Sequence, residues 1–200
     1  MTKLYRSLEL RNKASCTVKL IFLLTETVTY PAVNPSHLAT FVGRALLRSF
    51  VNVLSRVFLT SYLDEVEFER WLKSALRTLE SAKRDLEFGD YNWACFKAHQ
   101  VAEKALKALL WGVGRPRIGH SLVHLLQHVV EVLGVTPPDE VVHACTVLSK
   151  FYTPTRYPDV WSEGIPEDYY SRREAEEAIR LASGVIEWVR ELWRRLLKRE

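Results

Sequence analysis

The strongest constraint on this chain is a spacing. Phe68, Trp71, Leu72, Ala75, Leu76, Leu79, Ala82 and Leu86 recur at intervals of three and four, which makes one apolar stripe. That period fits a helix with a single buried face and does not fit a strand. "EFGDYN" interrupts it. Gly89 suits the left-handed position just past a helix, and Asp90 suits the N-cap of the next one. A second run, about residues 91–111, carries Tyr91, Ala94, Cys95, Ala98, Val101, Ala102, Ala105, Leu106 and Leu109. Its apolar side is rich in alanine, so a neighbouring helix can approach closely.

"GVGRPRIG" reads as a loop. A third helix, about 121–133, is predicted to bury Leu122, Leu125, Leu126, Val129, Val130 and Leu133 and to stop at Gly134. In "TPPDE", Thr136 is expected to cap a fourth helix with Pro137 at its first position, and that helix should run to about Tyr152. The last helix opens on "SRRE", where Ser171 and Glu174 have the spacing of a capping box. It continues through Ala175, Ala178, Ile179, Ala182, Val185, Ile186, Val189 and Leu196. Five helices with short links and no convincing strand predict an all-α, antiparallel up-and-down bundle of four to five helices over residues 62–200. Residues 1–61 form an additional N-terminal segment.

Charge separates the two parts. Residues 1–60 hold eight Lys/Arg against two Asp/Glu, whereas residues 61–200 hold twenty against twenty-two. The basic excess behind a pI of 9.0 therefore lies in the first third, and it is no argument for nucleic-acid binding by the bundle. "LIFLL" is far shorter than the roughly 20 apolar residues a membrane span needs. Residues 38–58 look amphipathic, with Arg44, Arg48 and Arg56 on one side. Three readings stand side by side: a helix for an anionic surface or a partner, an extra helix against the bundle, or upstream translation with the natural start near residue 60. The three cysteines are scattered and no CxxC occurs, which predicts a reducing, cytoplasmic setting with no disulfide framework and no cysteine zinc site.

Some residues have side chains suited to chemistry. His120, His124 and His128 in "HSLVHLLQH" are four apart and share a helix face roughly opposite the core leucines. A metal would need further ligands, and no adjacent carboxylate supplies one, so neither metal nor cofactor is expected. His120 lies beside Arg115 and Arg117 at the mouth of the glycine-rich loop, where a phosphate would meet helix N–H groups and two guanidinium groups. On the second helix Gln100, Glu103, Lys104 and Lys107 predict a solvated charged face, with Glu103 and Lys107 a favourable pair one turn apart.

Taken together, the alanine repeat followed by "HQVAEKALKALL", then "GHSLVHL", then "YTPTRYPD" before the last helix, resembles the HEPN domain family of archaea and bacteria. The resemblance covers about residues 64–198, and the second-helix pattern and "RYPD" are its specific parts. It implies a small all-α bundle, often a homodimer, similar to the C-terminal domain of kanamycin nucleotidyltransferase. Family members often work beside a minimal nucleotidyltransferase subunit, as in toxin–antitoxin pairs, and some are ribonuclease toxins.

Within "FYTPTRYPDVW", Pro154 and Pro158 restrict the chain on either side of Arg156. Arg156 with Asp159 nearby is preorganised for a phosphate or for a fixed ion pair. Tyr152, Tyr157 and Trp161 offer flat faces to a base. Ribonuclease-active relatives carry an arginine followed a few residues later by a histidine, and after Arg156 this chain has none. Arg115 and His120 have that spacing in an earlier loop, which reads as accidental. The expected function is a non-catalytic bundle that recognises a nucleotide or nucleic acid through Arg156, Tyr157, Asp159, Tyr152, His120, Arg115 and Arg117. The alternatives are a metal-independent endoribonuclease toxin, with Arg156 and His120 catalytic through space, and a structural dimerisation subunit without ligand.

Overall fold

The structure, a computed structural model, describes residues 63–198. The N-terminal segment 1–61, with its amphipathic stretch at 38–58, lies outside the described residues. Five α-helices follow one another: α1 Glu65–Phe88, α2 Tyr91–Gly112, α3 Leu122–Leu133, α4 Asp139–Ser149 and α5 Arg172–Leu197. Two short 3-10 turns, Pro158–Val160 and Pro166–Tyr169, stand between α4 and α5. The fold is the all-α bundle the spacing predicts, and no strand occurs among the described residues.

Local chemistry sets most boundaries. Asp64 caps α1 by accepting from the Glu67 N–H at 2.9 Å. Gly89 ends α1 in the left-handed conformation, φ 89°, as a residue without Cβ can at little cost. Ser171 and Glu174 form the expected capping box at the start of α5. Two boundaries differ from expectation. Thr136 does not cap α4: Pro138 is the N-cap, in extended conformation, and the helix begins at Asp139. A residue that precedes a proline is pushed away from helical φ/ψ, so Pro137, followed by Pro138, is a poor first helical residue. At its other end α4 stops at Ser149 rather than near Tyr152. Lys150 and Phe151 donate to carbonyls three residues back, which tightens the last turn, and Pro154 prevents its continuation.

Helix α2 is the axis of the bundle and packs against all four others. Ala94, Ala98, Ala102, Ala105 and Ala108 are all fully buried, so the alanine side does bring neighbours close. At its end Gly112 makes room for a stacked pair: Phe68 of α1 lies on Trp193 of α5, centroids 4.0 Å apart. A Cβ on Gly112 would stand 2.7 Å from the Trp193 ring. No helix among the described residues is long and apolar enough to cross a membrane.

Candidate functional site

The polar residues of α2 do not form a solvated face. Asn92, His99, Glu103 and Lys107 are all buried, and they fall along one stripe opposite the alanines. Every one of them is hydrogen-bonded, as burial requires. Glu103 Oε1 accepts from Lys107 Nζ at 2.8 Å, so the pair expected from the sequence is present, but inside the protein. Glu103 Oε2 accepts from His120 Nδ1 at 3.0 Å and from Gln100 Nε2 at 3.2 Å. Burial by itself would raise the Glu103 pKa. The hydrogen bonds from Lys107 and His120 outweigh it and hold the carboxyl below the usual range.

His99 completes this buried layer. Its Nε2–H donates to the His120 carbonyl at 2.9 Å, which fixes the loop before α3 against α2. Burial pushes its pKa down to about 4, so the ring is neutral near pH 7.

On top of the layer lies Tyr152. The His120 ring stacks on it at 4.6 Å with an interplanar angle of 15°. The Arg156 guanidinium sits 4.5 Å from the same ring, 4.4 Å from Phe96 and 4.8 Å from Tyr157. Arg156 Nε and Nη2 both donate to the Tyr152 carbonyl, at 2.8 and 2.6 Å. Two of the five guanidinium N–H donors are thus used, and Nη1 makes no hydrogen bond within the described residues.

The turn that carries Arg156 is pinned from below. Asn92 Nδ2 donates to the Thr155 carbonyl at 3.1 Å, Thr155 Oγ1 donates to Phe151 O at 2.6 Å, and Trp161 Nε1 donates to Pro154 O at 2.8 Å.

These contacts sort the predicted site residues. Arg156, Tyr152, Tyr157 and His120 come together although they arrive from two connections. Asp159 is exposed and forms no ion pair with Arg156, whose anchor is a carbonyl and three rings instead. Trp161 has its face covered by Tyr169, 3.8 Å away. Arg117 lines a groove of about 350 Å³ with His120, His124 and His128, whereas Arg115 is exposed and stands outside it. Among the described residues no cluster of His, Cys, Asp or Glu is arranged to hold a metal ion.

Sequence reasoning missed His99 and misplaced Glu103 and Lys107. The signal for all three was available. A helix apolar on most of its circumference is surrounded, so its few polar residues are buried and must be paired. The arrangement presents a cation with open donors, aromatic faces and an oriented imidazole, which are groups that hold a phosphate and a base.

Known proteins share this frame. The HEPN domain family model matches residues 68–192, from the first turn of α1 to the last turns of α5. The UPF0332 protein of Archaeoglobus fulgidus is 30% identical over 91 residues, which is 45% of this chain and 67% of that protein. The crystal structure of TT1696 from Thermus thermophilus agrees with a TM-score of 0.60 at 44% identity, over 62% of this chain and 96% of that one. ST0689, an archaeal HEPN homologue, gives a TM-score of 0.53 at 42% identity over the same shares. A HEPN domain protein of Thermotoga maritima gives 0.51 at 33% identity, over 63% of this chain and 98% of that one. With the family's pattern spanning all five helices of the bundle, the chain belongs to the HEPN domain family.

Proposed function

We propose that this HEPN bundle recognises a nucleotide or nucleic acid at the Arg156–Tyr152–His120 cluster, without cleaving it. The carrying observation is the state of Arg156. Its charge is held in place by the Tyr152 carbonyl and three aromatic rings, while part of its donor fork stays open. A preorganised fork loses little freedom when it meets phosphate. Tyr157, 47% exposed beside the guanidinium, offers a face to a base. Arg156→Ala is expected to weaken AMP binding about ten- to a hundredfold by calorimetry, the value of a charge-assisted contact of roughly 1.5–3 kcal/mol. Arg156→Lys should recover only part of it, because the planar fork is lost. A lower melting temperature with unchanged AMP affinity would mean that the turn is purely structural.

Association with a second copy and with a minimal nucleotidyltransferase, in a toxin–antitoxin-like pair, belongs to the same proposal. The exposed apolar side chains of Phe88, Trp93, Val160, Ile165 and Tyr169 are groups that a partner could cover. A monomer mass by light scattering at micromolar concentration would count against the homodimer.

A second reading, metal-independent cleavage of RNA, is favoured by one observation. Glu103 holds His120 through Nδ1 and leaves Nε2 for a substrate, an arrangement suited to general acid–base work. RNA cleavage by the parent protein, lost in both His120→Ala and Arg156→Ala, would establish it over the non-catalytic reading.

A further inference from the structure

Residues 116–119, between α2 and α3, lie between two anchors. On one side the Arg115 N–H donates to the Leu110 carbonyl at 2.7 Å, and on the other the His120 carbonyl accepts from His99 Nε2 at 2.9 Å. Between them nothing ties the chain down. Pro116 has no N–H, and the N–H groups of Arg117, Ile118 and Gly119 form no hydrogen bond among the described residues. Gly114, φ 67°, turns the chain out of α2, and Gly119, φ 123°, joins the segment to His120. No atom lies within 4 Å of where a Cβ on Gly119 would stand, so rotation there meets no obstacle. A short segment with free amides, little packing and a glycine at its end can swing without breaking what holds the bundle.

Its tip is apolar and bare. Ile118 is 97% exposed, between the exposed Arg117 and the Gly119 pivot. Two residues span at most about 7 Å, so Ile118 is within reach of the His120 ring and of Tyr152 stacked on it. The other surface within reach, the groove along α3, is lined by the polar side chains of Arg117, His124, Gln127 and His128. An apolar side chain gains by covering rings and loses by covering unpaired polar groups. In the free protein burial of one isoleucine does not offset the ordering of four residues, and the segment stays open.

We propose that residues 116–119 are a lid that closes on a bound nucleotide, swinging at Gly119 so that Ile118 covers the His120–Tyr152 stack and Arg117 approaches the phosphate. This rests on the nucleotide-binding reading above and adds how the ligand is retained. Contacts to the ligand supply what the isoleucine alone lacks. Closure excludes water from the Arg156 guanidinium, which strengthens its hold on the phosphate. Because the lid closes after the ligand has entered, it slows release and leaves arrival unaffected.

Hydrogen exchange and release kinetics test this together. With saturating AMP, the amides of Arg117, Ile118 and Gly119 should exchange at least about tenfold more slowly than in the free protein. In stopped-flow displacement of fluorescently labelled AMP by excess AMP, Ile118→Ser should speed release about tenfold and change association less than about twofold. Ile118→Leu, which keeps an apolar tip, should release as slowly as the parent. Since the side chain is bare in the free protein, Ile118→Ser should leave the urea midpoint unchanged, which separates its effect from loss of fold. If AMP binds but exchange in the segment is unaltered, or Ile118→Ser releases AMP at the parent's rate, the lid is overturned while nucleotide binding stands. If the parent does not bind AMP, the underlying reading fails and the lid fails with it.

Discussion

Along one side of α2, Ala94, Ala98, Ala102, Ala105 and Ala108 let the surrounding helices close in. Along the opposite side, Asn92, His99, Glu103 and Lys107 are buried as well, yet every one is polar. The alanine side gains by removing apolar surface from water and by close packing. The polar side gains little of that. A buried ion pair often contributes no more to stability than an apolar pair of the same size. What the polar side does supply is direction. Glu103 orients His120, His99 holds the carbonyl of His120, and Asn92 holds the turn that carries Arg156. The contrast separates residues that stabilise the bundle from residues that position the candidate site.

The sharpest way to break the contrast is to remove one half of the buried pair. Glu103→Ala leaves Lys107 buried without its carboxylate, and a loss of about 3–5 kcal/mol is expected in urea unfolding. If the stripe were solvated, the loss would stay below about 1 kcal/mol.

Acidification is the next test. His99 titrates at about 4 in the folded protein, against about 6.5 in an unfolded chain. A lowered histidine pKa means that the unfolded state takes up the proton first. The contribution of His99 is therefore complete above about pH 6.5 and is lost as pH falls towards 4, on the order of 3 kcal/mol in total. Stability measured across that window should decline in the parent and decline less steeply in His99→Asn.

On the packing side the expected effect is smaller. Gly112→Ala places a methyl group against the Phe68–Trp193 stack and should cost about 1–3 kcal/mol by overpacking, with AMP binding unchanged. A comparable loss of binding would blur the division between the two sides.

The bundle was legible because helix periodicity and caps are local. Gly89 and the Ser171–Glu174 box act within a turn of themselves. The two misplaced ends of α4 arise from prolines acting on their neighbours: Pro138 on Pro137, and Pro154 on the residues before it. The site was legible only in part. Arg156 and Tyr152 stand out within their own short stretch, and His120 within its loop. That these meet over Glu103 depends on α2 being surrounded, which follows from how five helices pack and not from any one of them. Asp159 was drawn in by nearness in sequence. Three residues of separation across a 3-10 turn do not bring it onto Arg156.

The claim that the buried polar stripe exists to position the site has a direct test. Glu103→Leu with Lys107→Met replaces the ion pair by apolar side chains of similar volume, a change that is often neutral or stabilising. The account predicts a double variant within about 1 kcal/mol of the parent in urea unfolding, or more stable than it. Its AMP affinity should nevertheless be reduced about tenfold, because His120 has lost its carboxylate. Unchanged AMP affinity in an equally stable variant would contradict the claim.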